Sequence, residues 1–190
     1  MNIAVFCGSS MPHNNEIAAA ARDLGRRIAQ AGHTLSYGGS NLGLMGEVSS
    51  AALAAGGHVI AVIPTLFCEE IINSQQVTEL VRVRTMAERK ERLLADSDAF
   101  VALPGGIGTL DEVSEVMVMN QLQIVNGQRA LDGSFLTKPM ILLNLDGFYE
   151  PFLEQLRVIK ESGLMRSDAG LVVAESVEEV FLTLNHIVKD

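Results

Sequence analysis

With 190 residues, 48% of them hydrophobic and 19% charged, the chain is long enough for one α/β domain with a proper core and too short for two comfortable ones. Its formal charge of -9 at pH 7 argues against a nucleic acid or an anionic membrane as partner, since both need a basic face, but leaves room for a small anion held by a local cluster. The cysteines Cys7 and Cys68 stand alone and His13, His33, His58 and His186 lack metal-ligand spacing, so a structural zinc is not expected.

Taken in chain order, short apolar runs alternate with longer amphipathic ones. "NIAVFCG" (2–8) reads as a strand running into a glycine turn, with no basic leader ahead of it. "EIAAAARDLGRRIAQAG" reads as a helix with apolar residues near a 3.6 period, ended by Gly32. "HTLSYGG" is a strand into a glycine loop, "GLMGEVSSAALAAGG" a helix, and "HVIAVIP" a strand stopped by Pro64. "VTELVRV" has the makings of a short strand, "TMAERKERLLADS" of a helix, "AFVALPGG" of a strand and "GTLDEVSEVMVMNQLQI" of a helix. "KPMILLNL" and "GLVVAES" close the set of strands, each followed by a helix, "FYEPFLEQLRVIKESG" and "SVEEVFLTLNHIVK". Such alternation means parallel strands joined by crossovers, hence a doubly wound, mostly parallel sheet of about seven strands with helices on both faces, in one domain over residues 1–190. No apolar run can span a bilayer, and a cytoplasmic location in a reducing compartment is expected. The polar stretch 125–139 is longer than an ordinary helix-to-strand connection, and reads either as a tolerated surface insertion or as a lid or subunit contact.

Three of the strands run into glycine-rich turns: Gly8 and Ser9 after the first, Gly38 and Gly39 after the second, and "PGGIGT" (104–109) after the fifth. In a doubly wound sheet all three lie on the C-terminal edge, where ligands bind. A glycine turn that opens a helix offers free N–H groups and the positive end of a dipole, which suits a phosphate. Gly105, Gly106, Gly108 and Thr109 are therefore candidates for holding one. The pattern is neither GxGxxG nor GxxxxGK[ST], which speaks against a P-loop triphosphatase.

Two charged clusters each admit two readings. "TLDE" has the form of a capping box, with Thr109 as N-cap and Glu112 at N3, as in Thr85–Glu88 and Ser176–Glu179. Yet a carboxylate beside a phosphate cradle is electrostatically unfavourable unless it serves chemistry or holds hydroxyls. Asp111 is expected to be solvated. In "MAERK", Met86, Arg89 and Lys90 share one helical face, and Arg89 is either a surface charge or part of a site.

Together "PGGIGTLDE" and "MAERK" resemble the paired signatures PGGxGTxxE and MxxRK of the LONELY GUY (LOG) family, once labelled lysine decarboxylases. "YGGSNLGLMG", "VIAVIP" and "KPMILLNLDGFYEPFL" fit the family pattern too, so the resemblance covers nearly the whole chain. It implies a Rossmann-like fold, a homodimer, no cofactor, and hydrolysis of the N-glycosidic bond of nucleoside 5′-monophosphates, cytokinin nucleotides and often AMP, to free base and ribose 5-phosphate. By position it assigns Arg89 and Glu112 to catalysis and Gly105, Gly106, Gly108 and Thr109 to phosphate. Gly8, Ser9, Gly38, Gly39, Met86 and Lys90 are expected to line the nucleotide site. The pattern departs at Ser40, where the family has a third glycine, at Met119, where it has tryptophan, and at 125–137, which replaces a short connection. A nucleotide-binding or regulatory protein without turnover is the alternative. Lysine decarboxylation would need pyridoxal phosphate on a lysine, and none of Lys90, Lys138, Lys160 and Lys189 lies in a recognisable motif for it.

Overall fold

All seven expected strands form, and they pair only in parallel. A computed structural model describes residues 1–67, 77–127, 137–165, 167 and 170–187. The strands are β1 (Asn2–Phe6), β2 (Thr34–Tyr37), β3 (His58–Pro64), β4 (Glu79–Val83), β5 (Ala99–Ala102), β6 (Met140–Leu143) and β7 (Leu171–Ala174). The helices are α1 (Asn15–Gln30), α2 (Gly43–Ala54), α3 (Met86–Asp96), α4 (Ile107–Val125), α5 (Glu150–Glu161) and α6 (Val177–Ile187). The sheet order is β4-β3-β2-β1-β5-β6-β7, a Rossmann-like α/β arrangement.

Strand alternation sorts the core into two layers. Ile3, Val5 and Cys7 join a cluster with Ile17, Leu24 and Ile28 of α1, Leu44 and Val48 of α2, and Val180 and Leu184 of α6. Ala4 and Phe6 face the other way, with Leu93 of α3, Val113 and Val116 of α4, and Tyr149 just ahead of α5. Phe6 stacks on Phe100 at 5.7 Å between ring centroids, which ties β1 to β5 on this second face. The five strands β1, β2, β3, β5 and β6 are largely buried on both faces, which is why they read as apolar runs without alternation.

Two of the three expected capping boxes form, with the acid reaching back one residue beyond the N-cap. Thr85 Oγ1 accepts the Glu88 N–H and Glu88 accepts the Arg84 N–H; Ser176 and Glu179 repeat the device one helix later. The third does not. The start of α4 lies at Ile107, with Gly106 as N-cap and no side-chain acceptor. The Gly106 carbonyl accepts the N–H of both Thr109 and Leu110, while the Thr109 side chain packs against Gly105. The helix therefore begins earlier than a Thr109 cap requires, and Glu112 moves from its first turn into the buried second one.

The chain leaves β1 for β2 on one side, and β5 returns on the other. Between the C-terminal ends of β1 and β5 lies the crevice of such a sheet. Of the stretch 125–137, residues 128–136 lie outside the described residues. Where the chain re-enters, the Asn120 amide of α4 accepts the Lys138 N–H at 3.0 Å and donates to the Lys138 carbonyl at 2.7 Å. Among the described residues no helix is long and apolar enough to cross a membrane, and no group of three His, Cys, Asp or Glu could hold a metal.

Candidate active site

The crevice opens into a cavity of about 310 Å³. The loop after β1 contributes Cys7, Gly8 and Ser9, and the loop after β2 contributes Gly38, Ser40 and Leu42. Met86, Arg89 and Lys90 come from α3, while Gly106, Gly108, Thr109, Asp111 and Glu112 come from α4 and its cap. Met45, Ile63 and Phe67 complete the lining with apolar surface. The residues singled out in the sequence thus converge here, apart from Gly39 and Gly105, which are not among those lining the cavity.

The glycines differ in purpose. A Cβ at Gly38 would overlap the Arg89 guanidinium, so this glycine makes room for a protein side chain rather than for a ligand. A Cβ at Gly105 would overlap Thr109, and Gly39 takes a positive φ of 83° against Ile63. At Gly106 and Gly108 an added Cβ would meet nothing within 4 Å. Those two leave open space where the loop faces the cavity. The first N–H groups of α4, at Ile107 and Gly108, have no acceptor within the helix, and the helix dipole adds to them.

Under this helix start lies a buried ion pair. Arg89 Nη1 donates to Glu112 Oε1 at 2.7 Å, and Arg89 Nε donates to the Val62 carbonyl at 3.3 Å. Arg89 is 6% exposed and Glu112 5%, so neither the surface reading of Arg89 nor the capping reading of Glu112 holds. Burial pushes the Glu112 carboxyl above the usual carboxylate range; Arg89 pulls the other way, both by its charge and by its hydrogen bond. Cys7 sits close by, its thiol driven far up by burial and then by the charge of Glu112. The Tyr149 hydroxyl, raised by burial, donates to the Leu103 carbonyl at 2.7 Å. Both are neutral groups around an ionic pair.

Lys90 lines the cavity but is engaged: its ammonium lies 2.9 Å from Asp111 and 2.7 Å from Glu115. Asp111 is thus ion-paired across the helix seam and not simply solvated. These bonds raise the Lys90 ammonium above its ordinary range, Glu115 first. A lysine that forms an imine must first be neutral, so Lys90 does not fit that use.

A family model described as "possible lysine decarboxylase" matches residues 45–185. The "cytokinin riboside 5′-monophosphate phosphoribohydrolase LOG" of Oryza sativa subsp. japonica is 38% identical over 190 residues, covering 99% of this chain and 74% of its own. This chain belongs to the LOG family. The "cytokinin riboside 5′-monophosphate phosphoribohydrolase LOG2" of Arabidopsis thaliana is 36% identical, over 92% of this chain and 76% of its own. The solved molybdenum cofactor carrier protein of Chlamydomonas reinhardtii shares the fold, at 24% identity and a TM-score of 0.70, over 100% of this chain and 98% of its own. The motifs that carry the LOG resemblance, around Arg89 and Glu112, are those that meet in the cavity.

Cys7, Leu42, Met45, Ile63 and Phe67 line the cavity without having been singled out in the sequence. The first closes a strand and looks like core; the others belong to apolar runs or a turn. The one usable signal is position, since each lies at or just beyond the C-terminal end of a strand on the ligand-binding edge or at the start of the next helix.

Proposed function

We propose that this LOG protein hydrolyses the N-glycosidic bond of nucleoside 5′-monophosphates, cytokinin riboside monophosphates among them, releasing the free base and ribose 5-phosphate. The observation that carries this reading is the buried Arg89–Glu112 pair, set a turn and a half beyond the unoccluded N-terminus of α4. The 5′-phosphate docks on the N–H groups of Ile107 and Gly108, in the space left by Gly106 and Gly108. Thr109 adds a hydroxyl, and Gly8 and Ser9 close the cradle from the β1 side. The ribose then lies over Glu112, and the base extends towards Met45, Ile63, Phe67 and Met86.

Cleavage of the C1′–N bond leaves positive charge on the sugar as an oxocarbenium-like state. The Glu112 carboxylate stabilises that charge and orients or deprotonates the water that adds to C1′. The departing base takes up the proton that this water loses, so that one water molecule supplies the hydroxyl on C1′ and the hydrogen on the base. Arg89 fixes Glu112 and holds the sugar or phosphate in place. The raised affinity of Glu112 for a proton fits a group that exchanges one with water.

Assembly and location are part of the proposal. Val118, Met119, Leu122 and Val125 form an exposed apolar stripe along α4, whereas the large apolar residues of α2 face the core or are half-buried. We assign the stripe to a homodimer contact. Cys7 is a free, buried thiol, as suits a reducing cytoplasm.

The test is direct. Purified protein is incubated with a panel of nucleoside 5′-monophosphates, and released base and ribose 5-phosphate are both assayed. Equal yields of the two products support the reading. A monophosphate that binds and survives unchanged would favour the binding-only alternative.

A further inference from the structure

The first turns of α4 carry three carboxylates, Asp111, Glu112 and Glu115, and among the described residues two cations of α3 are bonded to them. Arg89 meets Glu112; Lys90 meets the other two. We propose that Lys90 is a positioning residue that works through Glu112: by clamping Asp111 and Glu115 it stops them competing for the Arg89 guanidinium and crowding the charge that Glu112 carries. The inference deepens the functional reading and rests on it.

Every group around Glu112 enters the balance. From α3 come Arg89 and Lys90, which both favour its charge; from its own helix come Asp111, which opposes it, and Glu115, which holds Lys90. Cys7 at the end of β1 and Tyr149 before α5 both stay protonated and supply no countercharge. Lys90 is therefore the second cation acting on Glu112, at a site where burial already works against a carboxylate. Its loss would remove that cation and at the same time release Asp111 as a free anion on the wall of the cavity. Both changes act in one direction.

The experiment is a carbon-13 NMR titration of the Glu112 carboxyl in the full-length, glutamate-labelled protein, its signal assigned by loss in Glu112→Gln. In Lys90→Met the midpoint should rise by on the order of one pH unit, the scale of one nearby charge in a partly screened site. Lys90→Arg keeps the charge and should leave the midpoint in place. Adding Asp111→Asn to Lys90→Met should bring back most of the shift. The acid limb of kcat/KM should move in step with the titration. Should Lys90→Met fold poorly, Asp111→Asn alone serves, with an expected fall of the midpoint. An unmoved midpoint in a folded Lys90→Met or Asp111→Asn protein would overturn the inference. So would a large rise in KM with the midpoint unchanged, which would put Lys90 on the substrate instead. A wild-type protein that hydrolyses no monophosphate would overturn the functional reading, while the titration would still decide whether Lys90 governs the charge on Glu112.

Discussion

Glu112→Gln removes a charge from the centre of the site and preserves its shape. The amide oxygen can still accept from Arg89 Nη1, now 2.7 Å from the carboxylate. A carboxylate about 4 Å from a developing cation is worth about 4 kcal/mol at an effective dielectric constant near 20, or roughly a thousandfold in rate. Part of that charge is already committed to Arg89, so a fall in turnover of about 10²- to 10³-fold is expected, the scale of one lost electrostatic contact in a transition state. Monophosphate binding should persist or tighten, because a negative charge leaves a site that accepts an anion. Stability follows from the direction of the titration. Glu112 keeps its proton to a higher pH when folded than when unfolded, so the folded state binds more protons and loses stability as pH rises above about 4.3 and through the folded midpoint. Glutamine abolishes that loss. The variant should therefore melt at or above the wild-type temperature at pH 7, and the two should converge as pH falls towards 4. Chromatography of released base gives the rate, calorimetry with the monophosphate gives the affinity, and melting curves across pH give the linkage. Hydrolysis by Glu112→Gln within a few-fold of wild type would refute the catalytic role.

Other outcomes follow from the same geometry. Gly38→Ala should displace the Arg89 guanidinium and cut turnover at least tenfold while the circular dichroism spectrum stays unchanged, because the clash falls on the end of a long side chain. Gly105→Ala should destabilise the fold by about 1–3 kcal/mol through overpacking against Thr109 and the Gly8 backbone. Gly106→Ala, with nothing near its new methyl, should cost no more than about 1 kcal/mol through the poorer N-cap and yet raise KM for a monophosphate several-fold in steady-state assays. On the proposed homodimer contact, wild type should sediment as a dimer and Leu122→Glu, on the exposed stripe of α4, as a monomer at micromolar concentration.

The order of elements was legible because buried parallel strands and amphipathic helices carry different periods. The edge on which the glycine turns meet followed from that order. The start of α4 was not legible. Thr109 and Glu112 have the spacing of a capping box, and "GGIG" offers no side chain to mark an earlier cap. Which of the two wins depends on Thr109 packing against Gly105, a contact that spacing does not encode. The burial of Arg89 was hidden for a similar reason: its guanidinium fits only because Gly38, far away in the chain, lacks a side chain. The pairing of Asp111 with Lys90 likewise joins two helices separated by β5, and composition assigns such an aspartate to solvent.

Leu42, Phe67 and Met86 are all exposed, and they stand on separate loops or helix starts lining the cavity of the buried pair. Surface substitutions usually shift stability by no more than about 0.5 kcal/mol, so these positions can drift independently of one another and of Arg89 and Glu112. Selection on such a border can retune which bases are accepted while the bond-breaking step stays the same. A small combinatorial library over the three positions, screened against purine monophosphates of differing size, should yield altered preferences among variants that share one pH profile.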